Sequence, residues 1–332
     1  MAPYLRYSLK ALSTIYQSRK YLSFRHPLPA EACQNAAQNY LQGNRRKQYL
    51  YSLFLYGSAW AILRNKPLTG TEKERLALLS IVAPLFDDLY DVYHLYPELI
   101  ESLVLDPGGN ETESDNTLLQ CFRNVLLCLY ESLQLSQASF RHLVLQLMRA
   151  QEKSRNLLWP ASASDIESLT KEKGGLAAVL IRTMLDNPVT REEYQVALSL
   201  GFLAQLMDDL LDLTYDRVDG RATGACLFQN AEEAGRFFLE TEKHWLTQCN
   251  EMPFPGERIQ QFARYTHLLL SPVFVCLDYY EQYTNRTEIN LFNRELQSPV
   301  LVCDMENWSS RFRLLLLAYR NSRLVFSSGN VA

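Results

Sequence analysis

Apolar residues recur along the chain at steps of three and four, the period of one face of a helix, and no alternating strand pattern of useful length occurs. The pattern predicts helices near residues 4–22, 29–41, 45–64, 71–95, 116–134, 137–158, 163–185, 190–215, 229–250, 256–285 and 299–324. Capping residues stand at several of these starts: Thr71 with Glu72 and Glu74, Ser162 with Asp165, and Thr190 with Glu192 and Glu193. Prolines such as Pro27, Pro67, Pro97, Pro160, Pro188 and Pro253 punctuate between helices. Pro84 and Pro272 fall inside apolar runs and predict kinks. Residues 106–116 form the most polar stretch, but helical periodicity resumes unchanged after them, so they read as a surface connection. The expected fold is all-α, one domain over residues 1–332.

At the N-terminal end, Leu5, Leu9, Leu12 and Tyr16 share one helical face, which is expected to turn to the core. Arg6, Lys10, Arg19, Lys20 and Arg25 all precede the first acidic residue, Glu31. That bias is also compatible with an organellar transit peptide over residues 1–28.

Composition narrows the class. Hydrophobic residues make up 47% and charged residues 21%, enough apolar material to bury a core and to exclude disorder. The 13 Gly and 13 Pro are roughly a third fewer than average usage gives, which favours helix. A net charge of −4 argues against a nucleic-acid partner. Seven cysteines, an odd number with no CxxC, fit a reducing compartment, the cytoplasm being the default. No run of 18 uninterrupted apolar residues occurs, so no transmembrane segment is expected. The five histidines show no HExxH spacing, and GxSxG, GxGxxG and Walker loops are absent.

Two acidic motifs stand out inside apolar helices. LSIVAPLFDDLYDVYHL carries Asp87, Asp88 and Asp91, and SLGFLAQLMDDLLDLTYD carries Asp208, Asp209 and Asp212. Each reads DDxxD. Residues four apart are offset by only about 40° on a helix, so Asp87 shares a face with Asp91, and Asp208 with Asp212. Like charges so placed on apolar helices are costly unless a cation compensates them. A solvated acidic face would account for one such motif; two copies favour a site. Oxygen-only ligands suit a hard cation, Mg²⁺ above all when phosphates share the coordination.

The stretch from Gly201 through Gln205 to Asp208, Asp209 and Asp212 resembles the GxxxQxxDDxxD motif of trans-isoprenyl diphosphate synthases. Asp216, Gly220-Arg221 and Gly224 follow at nearly the family's spacing, with Arg for Lys and one residue fewer in the loop. Lys173-Gly174-Gly175 resembles the family's Lys-Thr-Gly element, and Gly43-Asn44-Arg45-Arg46-Lys47 stands where it has Gly-Gly-Lys-Arg. The resemblance covers about residues 40–230. It implies the helical bundle of the class I isoprenoid synthases, with a central cavity lined by Asp87, Asp91, Asp208 and Asp212. It also implies a prenyl diphosphate substrate, and about three Mg²⁺ ions, replaceable by Mn²⁺, held by Asp87, Asp88, Asp91, Asp208, Asp209 and Asp212. Lys173, Arg221, Arg45, Arg46 and Gln205 would bind the diphosphate, and a homodimer would be the usual assembly.

One departure bears on the reaction. Elongating synthases follow the first motif with paired arginines for isopentenyl diphosphate; here no Arg or Lys follows Asp91 until Arg123. That favours a terpene synthase, a lyase that ionises one prenyl diphosphate and then cyclises or deprotonates it. A chain-elongating prenyltransferase is the alternative, since terpene cyclases usually carry a different second motif. A non-catalytic partner subunit is a third reading, opposed by retention of all six aspartates. Leu79, Val82 and Ala83 lie one to two turns before the first motif, where the family limits chain length. The small Ala83 and Val82 favour a C15 or longer chain. Phe86, Tyr90, Phe202 and Tyr215 flank the motifs as candidate cation-facing rings. Arg182, Arg264 and Arg320 are further candidates for the headgroup.

Overall fold

The computed structural model describes residues 2–23, 43–91, 96–109, 117–133, 137–283 and 308–326. The helices expected at 29–41 and at the start of 299–324 fall outside them. The described residues are all-α, without strands beyond one isolated bridge. The helices are α1 (Ala2–Ser18), α2 (Asn44–Leu63), α3 (Gly70–Asp91), α4 (Pro97–Leu105), α5 (Thr117–Leu133), α6 (Gln137–Asn156), α7 (Ala163–Thr183), α8 (Arg191–Leu211), α9 (Leu213–Val218), α10 (Ala231–Cys249), α11 (Gly256–Leu270), α12 (Pro272–Tyr283) and α13 (Trp308–Phe326). None is long and apolar enough to cross a membrane.

The chain divides into two compact units. One comprises Lys10–Leu145 and Leu180–Pro188, the other Met1–Leu9, Gln146–Val179 and Val189–Ala332.

In the unit built on α2, α3 and α5, the core is Leu50, Phe54, Trp60, Leu76, Leu85, Phe122 and Leu126, all essentially inaccessible to water. Gly57 lets α2 approach α3: a Cβ there would stand 2.8 Å from Leu76 Cδ1. The cap of α3 is Thr69, not Thr71. Thr69 Oγ1 accepts from Glu72 N at 3.2 Å while Glu72 Oε2 accepts from Thr69 N at 2.8 Å, a capping box that needs Glu at the third helical position. The periodicity does not predict α4. Pro97, which reads as a breaker, opens it instead, because the first helical position needs no N–H.

In the other unit, α8 packs on α10 and α12, and α12 on α13, around Leu200, Leu203, Leu206, Phe238, Trp245, Phe262 and Tyr280. The capping box at Thr190 and Glu193 forms as the sequence suggests. Pro84 stays within α3, whereas Pro272 ends a helix: α11 stops at Leu270 and α12 starts at Pro272. The missing N–H and the ring clash separate two helices that the apolar pattern runs together.

The core-facing side of α1 is not the one the apolar pattern predicts. Leu5, Leu9, Leu12 and Tyr16 are 57%, 60%, 59% and 74% exposed. Tyr4 is buried instead, in a cluster with Leu268 and Ala318 that Tyr7, Leu314, Leu315 and Tyr319 complete. Periodicity shows which residues share a face; the edge-on aromatic contacts of Tyr4 with Tyr319 and of Tyr7 with Tyr265 decide which face docks.

Candidate functional site

The first acidic motif closes α3. Asp87 and Asp88 are partly buried, and both are engaged by α2. Arg45 Nη1 donates to Asp88 Oδ1, and Nη2 reaches Asp87 Oδ2 at 3.4 Å. One turn along α2, Tyr49 Oη donates to Asp87 Oδ2 at 2.5 Å. Half-burial disfavours the Arg45 charge, but the Asp88 hydrogen bond and the charges of Tyr49, Asp88 and Asp87 outweigh it and raise its pKa. Arg45 is thus the partner of the motif itself. Tyr49 carries no motif signal, although its i+4 spacing from Arg45 puts both on one helical face. Asp91 is the last residue of α3; its side chain, like that of Tyr90, lies outside the described residues.

Arg46 does not join Arg45. It is 1% exposed and donates to the carbonyls of Tyr21 at 2.9 Å and Leu22 at 3.1 Å. Consecutive helical residues diverge by about 100°, so one arginine reaches the motif and the next anchors the Arg19–Ser23 turn. Burial pulls the Arg46 pKa down to about 10. Leu79 and Val82 are buried in the core of this unit and Ala83 is partly open, so the chain-length argument narrows to Ala83.

The second motif is built on α7, α8 and the loop after α9. Asp209 is buried and doubly held: Gln205 Nε2 donates to Oδ1 at 2.7 Å, and the Gly224 N–H to Oδ2 at 2.7 Å. Gly224 is required for that approach, since a Cβ there would stand 2.8 Å from Asp209 Oδ2. Gln205 therefore positions a carboxylate, where the resemblance implies a contact with the diphosphate. α8 breaks at Asp212, inside the helix expected over 190–215. The Leu210 carbonyl near the break accepts from Tyr280 Oη at 2.6 Å and Cys276 Sγ at 3.4 Å. Asp212 N still bonds Asp208 O at 2.8 Å, so the two aspartates keep their one-turn offset.

Lys173 comes to these carboxylates because α7 and α8 meet backbone to backbone. A Cβ on Gly174 would stand 2.3 Å from Gly201 O, and one on Gly201 2.0 Å from Gly174 O. The loop that carries Arg221 turns at Gly220, with φ +68. It is fastened to residues 157–159 by Trp159 N to Gly220 O at 3.0 Å and Ala222 N to Leu157 O at 3.0 Å. Arg221 is part-exposed and pairs with Asp219 at 3.4 Å.

The carboxyls of this set share one electrostatic signature. Asp208 is raised to about 7: protein crowds it although one side stays open to solvent, Asp212 and Asp209 add like charge, and Lys173 opposes. Asp216, which follows the motif in sequence without belonging to it, is raised to about 6 by burial, then Asp209. Burial also raises Asp209 and Asp212, against the pull of Lys173. Lys173 opposes the shift at three of these carboxyls and Arg221 at Asp216, two cations for four crowded acids, and an all-oxygen donor set fits a hard divalent cation. Among the described residues, no group of three or more His, Cys, Asp or Glu stands ready to hold a metal unaided.

The remaining candidates lie elsewhere. Arg182 is 1% exposed, stacks over Trp60 at 5.8 Å and donates to the Asn187 and Pro188 carbonyls. Arg264 lies over Phe326 at 5.8 Å, and Arg320 lines an open pocket of α10, α12 and α13 with Arg236, Phe274 and Asp278. Phe86 packs on Phe122 and Phe202 on Phe237, both as core, while Tyr215 is 62% exposed. Among the described residues, no disulfide joins two cysteines. The chain matches no family model and no curated protein.

Proposed function

We propose that the protein is a class I isoprenoid enzyme that ionises a prenyl diphosphate and releases diphosphate. The observation that carries this is the group of Asp208, Asp209, Asp212 and Asp216, all raised in pKa, with Lys173 acting on the first three and Arg221 on Asp216. Such a set is poorly compensated by itself and gains from a ligand that brings cations. Asp208 and Asp212 would hold Mg²⁺ with the diphosphate, and the resemblance implies the same role for Asp87, Asp88 and Asp91. Bound Mg²⁺ would supply Lewis acidity toward the leaving group.

The residues of the chain then divide the work. Lys173 and Arg221 donate charge-assisted hydrogen bonds to the departing diphosphate. Gln205 and the Gly224 N–H fix the rotamer of Asp209, so that its neighbours are presented in one geometry. Arg45 is bonded to Asp87 and Asp88, and its fork can exchange a carboxylate for a phosphate oxygen. C–O cleavage leaves an allylic cation, which a dry apolar cavity protects from water.

We favour a terpene synthase acting on a C15 or longer chain, because no Arg or Lys follows the first motif before Arg123. Lys173 and the Gly220-Arg221 loop favour the second reading, a chain-elongating prenyltransferase. A homodimer and a cytoplasmic location belong to the same proposal. The test is incubation with Mg²⁺ and C10, C15, C20 or longer prenyl diphosphates, with and without isopentenyl diphosphate, read by mass spectrometry. Hydrocarbon or alcohol from one substrate supports the synthase. A longer diphosphate formed only with both supports elongation. No turnover of any of them under these conditions refutes both.

A further inference from the structure

The exposed apolar residues of α1 are aligned. Leu5, Leu9, Leu12 and Tyr16 follow one another at i, i+4, i+7 and i+11, which places all four within about 60° of helix circumference and along about 17 Å of its axis. Single exposed apolar residues are ordinary; a continuous stripe of four large ones marks an interaction surface. The opposite face is occupied, since Tyr4 is buried against Leu268 and Ala318. The helix therefore presents its stripe while staying docked.

Charge indicates what the stripe meets. Arg6 and Lys10 are exposed on the flank of the stripe, Arg19 and Lys20 are exposed just beyond the helix, and no Asp or Glu occurs before Glu31. Tyr4 contacts α13, which likewise has no acidic residue and exposes Phe312, Leu316 and Leu324 at 66%, 40% and 52% together with Arg320 and Arg323. Two copies of α1 pairing stripe to stripe would bring Arg6 and Lys10 together with no acidic residue on either helix to compensate. An anionic lipid surface answers both halves of the pattern, taking Leu and Tyr side chains into the acyl boundary and cations among its headgroups.

We infer that α1 is an interfacial helix that docks the protein, through the Leu5–Leu9–Leu12–Tyr16 stripe, on the surface of an anionic lipid bilayer. This stands independently of the proposed reaction.

The test is flotation of the full chain with vesicles of equal parts phosphatidylcholine and phosphatidylglycerol, and with vesicles of phosphatidylcholine alone. The protein is expected to float with the anionic vesicles at low salt and to be released at high salt. Leu9→Glu/Leu12→Glu should lower binding roughly tenfold or more, and Arg6→Glu/Lys10→Glu should remove the preference for anionic vesicles. Circular dichroism and the thermal midpoint should match the parent, because all four positions are exposed. Should a variant fail to fold, Tyr16→Trp gives a second reading, a blue-shifted emission relative to the parent on adding anionic vesicles. The inference is overturned if the parent does not float with anionic vesicles, if the Leu9/Leu12 pair changes nothing, or if the emission of the Tyr16→Trp variant does not move. Sedimentation velocity showing a dimer that only the Leu9/Leu12 variant dissociates, without flotation, would assign the stripe to a second copy.

Discussion

Asp208 states the conflict between stability and function at the scale of one residue. Its carboxyl, ordinarily near 4, stands at about 7, so the folded state holds that proton more tightly than the unfolded chain does. Stability from this group is complete below the unfolded value, about pH 4, and is lost as pH rises through about 7. Asp208→Asn should therefore raise the urea midpoint at pH 8 without Mg²⁺, by more than at pH 5, while abolishing turnover of a prenyl diphosphate. A lower midpoint at pH 8 would mean that the carboxylate is compensated by something other than metal. The aspartates were legible in the sequence because six acids on apolar helices are costly to keep unless a cation meets them. The partners were not. Tyr49, the Gly224 N–H and the inward turn of Arg46 depend on which neighbours meet, and a pattern of one chain segment does not carry that.

At the scale of helices, the glycines beside Lys173 explain more than the motif does. Lys173-Gly174-Gly175 resembles a headgroup element, yet Gly174 serves the crossing of α7 and α8, where a Cβ would overlap Gly201 O at 2.3 Å. Gly174→Ala should destabilise the fold by about 1–3 kcal/mol through overpacking, and should weaken diphosphate binding by moving Lys173 away from Asp209. Equilibrium unfolding and pyrophosphate titration check the two effects separately; an unchanged midpoint would show that the helices can part freely. The helix boundaries were legible where caps or turn residues mark them, as at Thr190. They were not where the cause is tertiary. The break at Asp212 coincides with capture of the Leu210 carbonyl by Tyr280 and Cys276, from 70 and 66 residues downstream. Nothing in the local sequence announces that capture.

α13 is held by a buried histidine that titrates. His267 Nδ1 lies 2.6 Å from Glu242 Oε1 and Nε2 lies 3.0 Å from the Ala318 carbonyl, so both ring nitrogens face acceptors and the charged ring satisfies both. Burial opposes that charge, but Glu242 and the two hydrogen bonds raise the His267 pKa. A raised histidine gives stability that is complete below its unfolded value, about 6.5, and lost as pH climbs through the folded value. The urea midpoint should therefore fall on going from pH 6 to pH 9, and Glu242→Gln should flatten that dependence. A steep fall retained in Glu242→Gln would place its origin in another group.

At the scale of the whole chain, the two aspartate sets belong to different compact units, and the resemblance implies that both act on one ligand. Metal alone should bind weakly to either set, since each supplies too few oxygens without phosphate. Mg²⁺ with pyrophosphate should raise the thermal midpoint, whereas either alone should not. At a hundredfold excess over Kd the linkage is about 2.7 kcal/mol, enough for a shift of several degrees. The decisive comparison is a double-mutant cycle. If Asp87 and Asp208 serve one diphosphate, Asp87→Ala and Asp208→Ala each remove most of the ligand-induced shift, and the double variant loses little more. If the sets are separate sites, each variant removes part of the shift and the losses add. Additive losses, measured as midpoint shifts at saturating Mg²⁺ and pyrophosphate, would separate the two motifs and refute the shared site, while leaving the carboxyls of the second set as a site of their own.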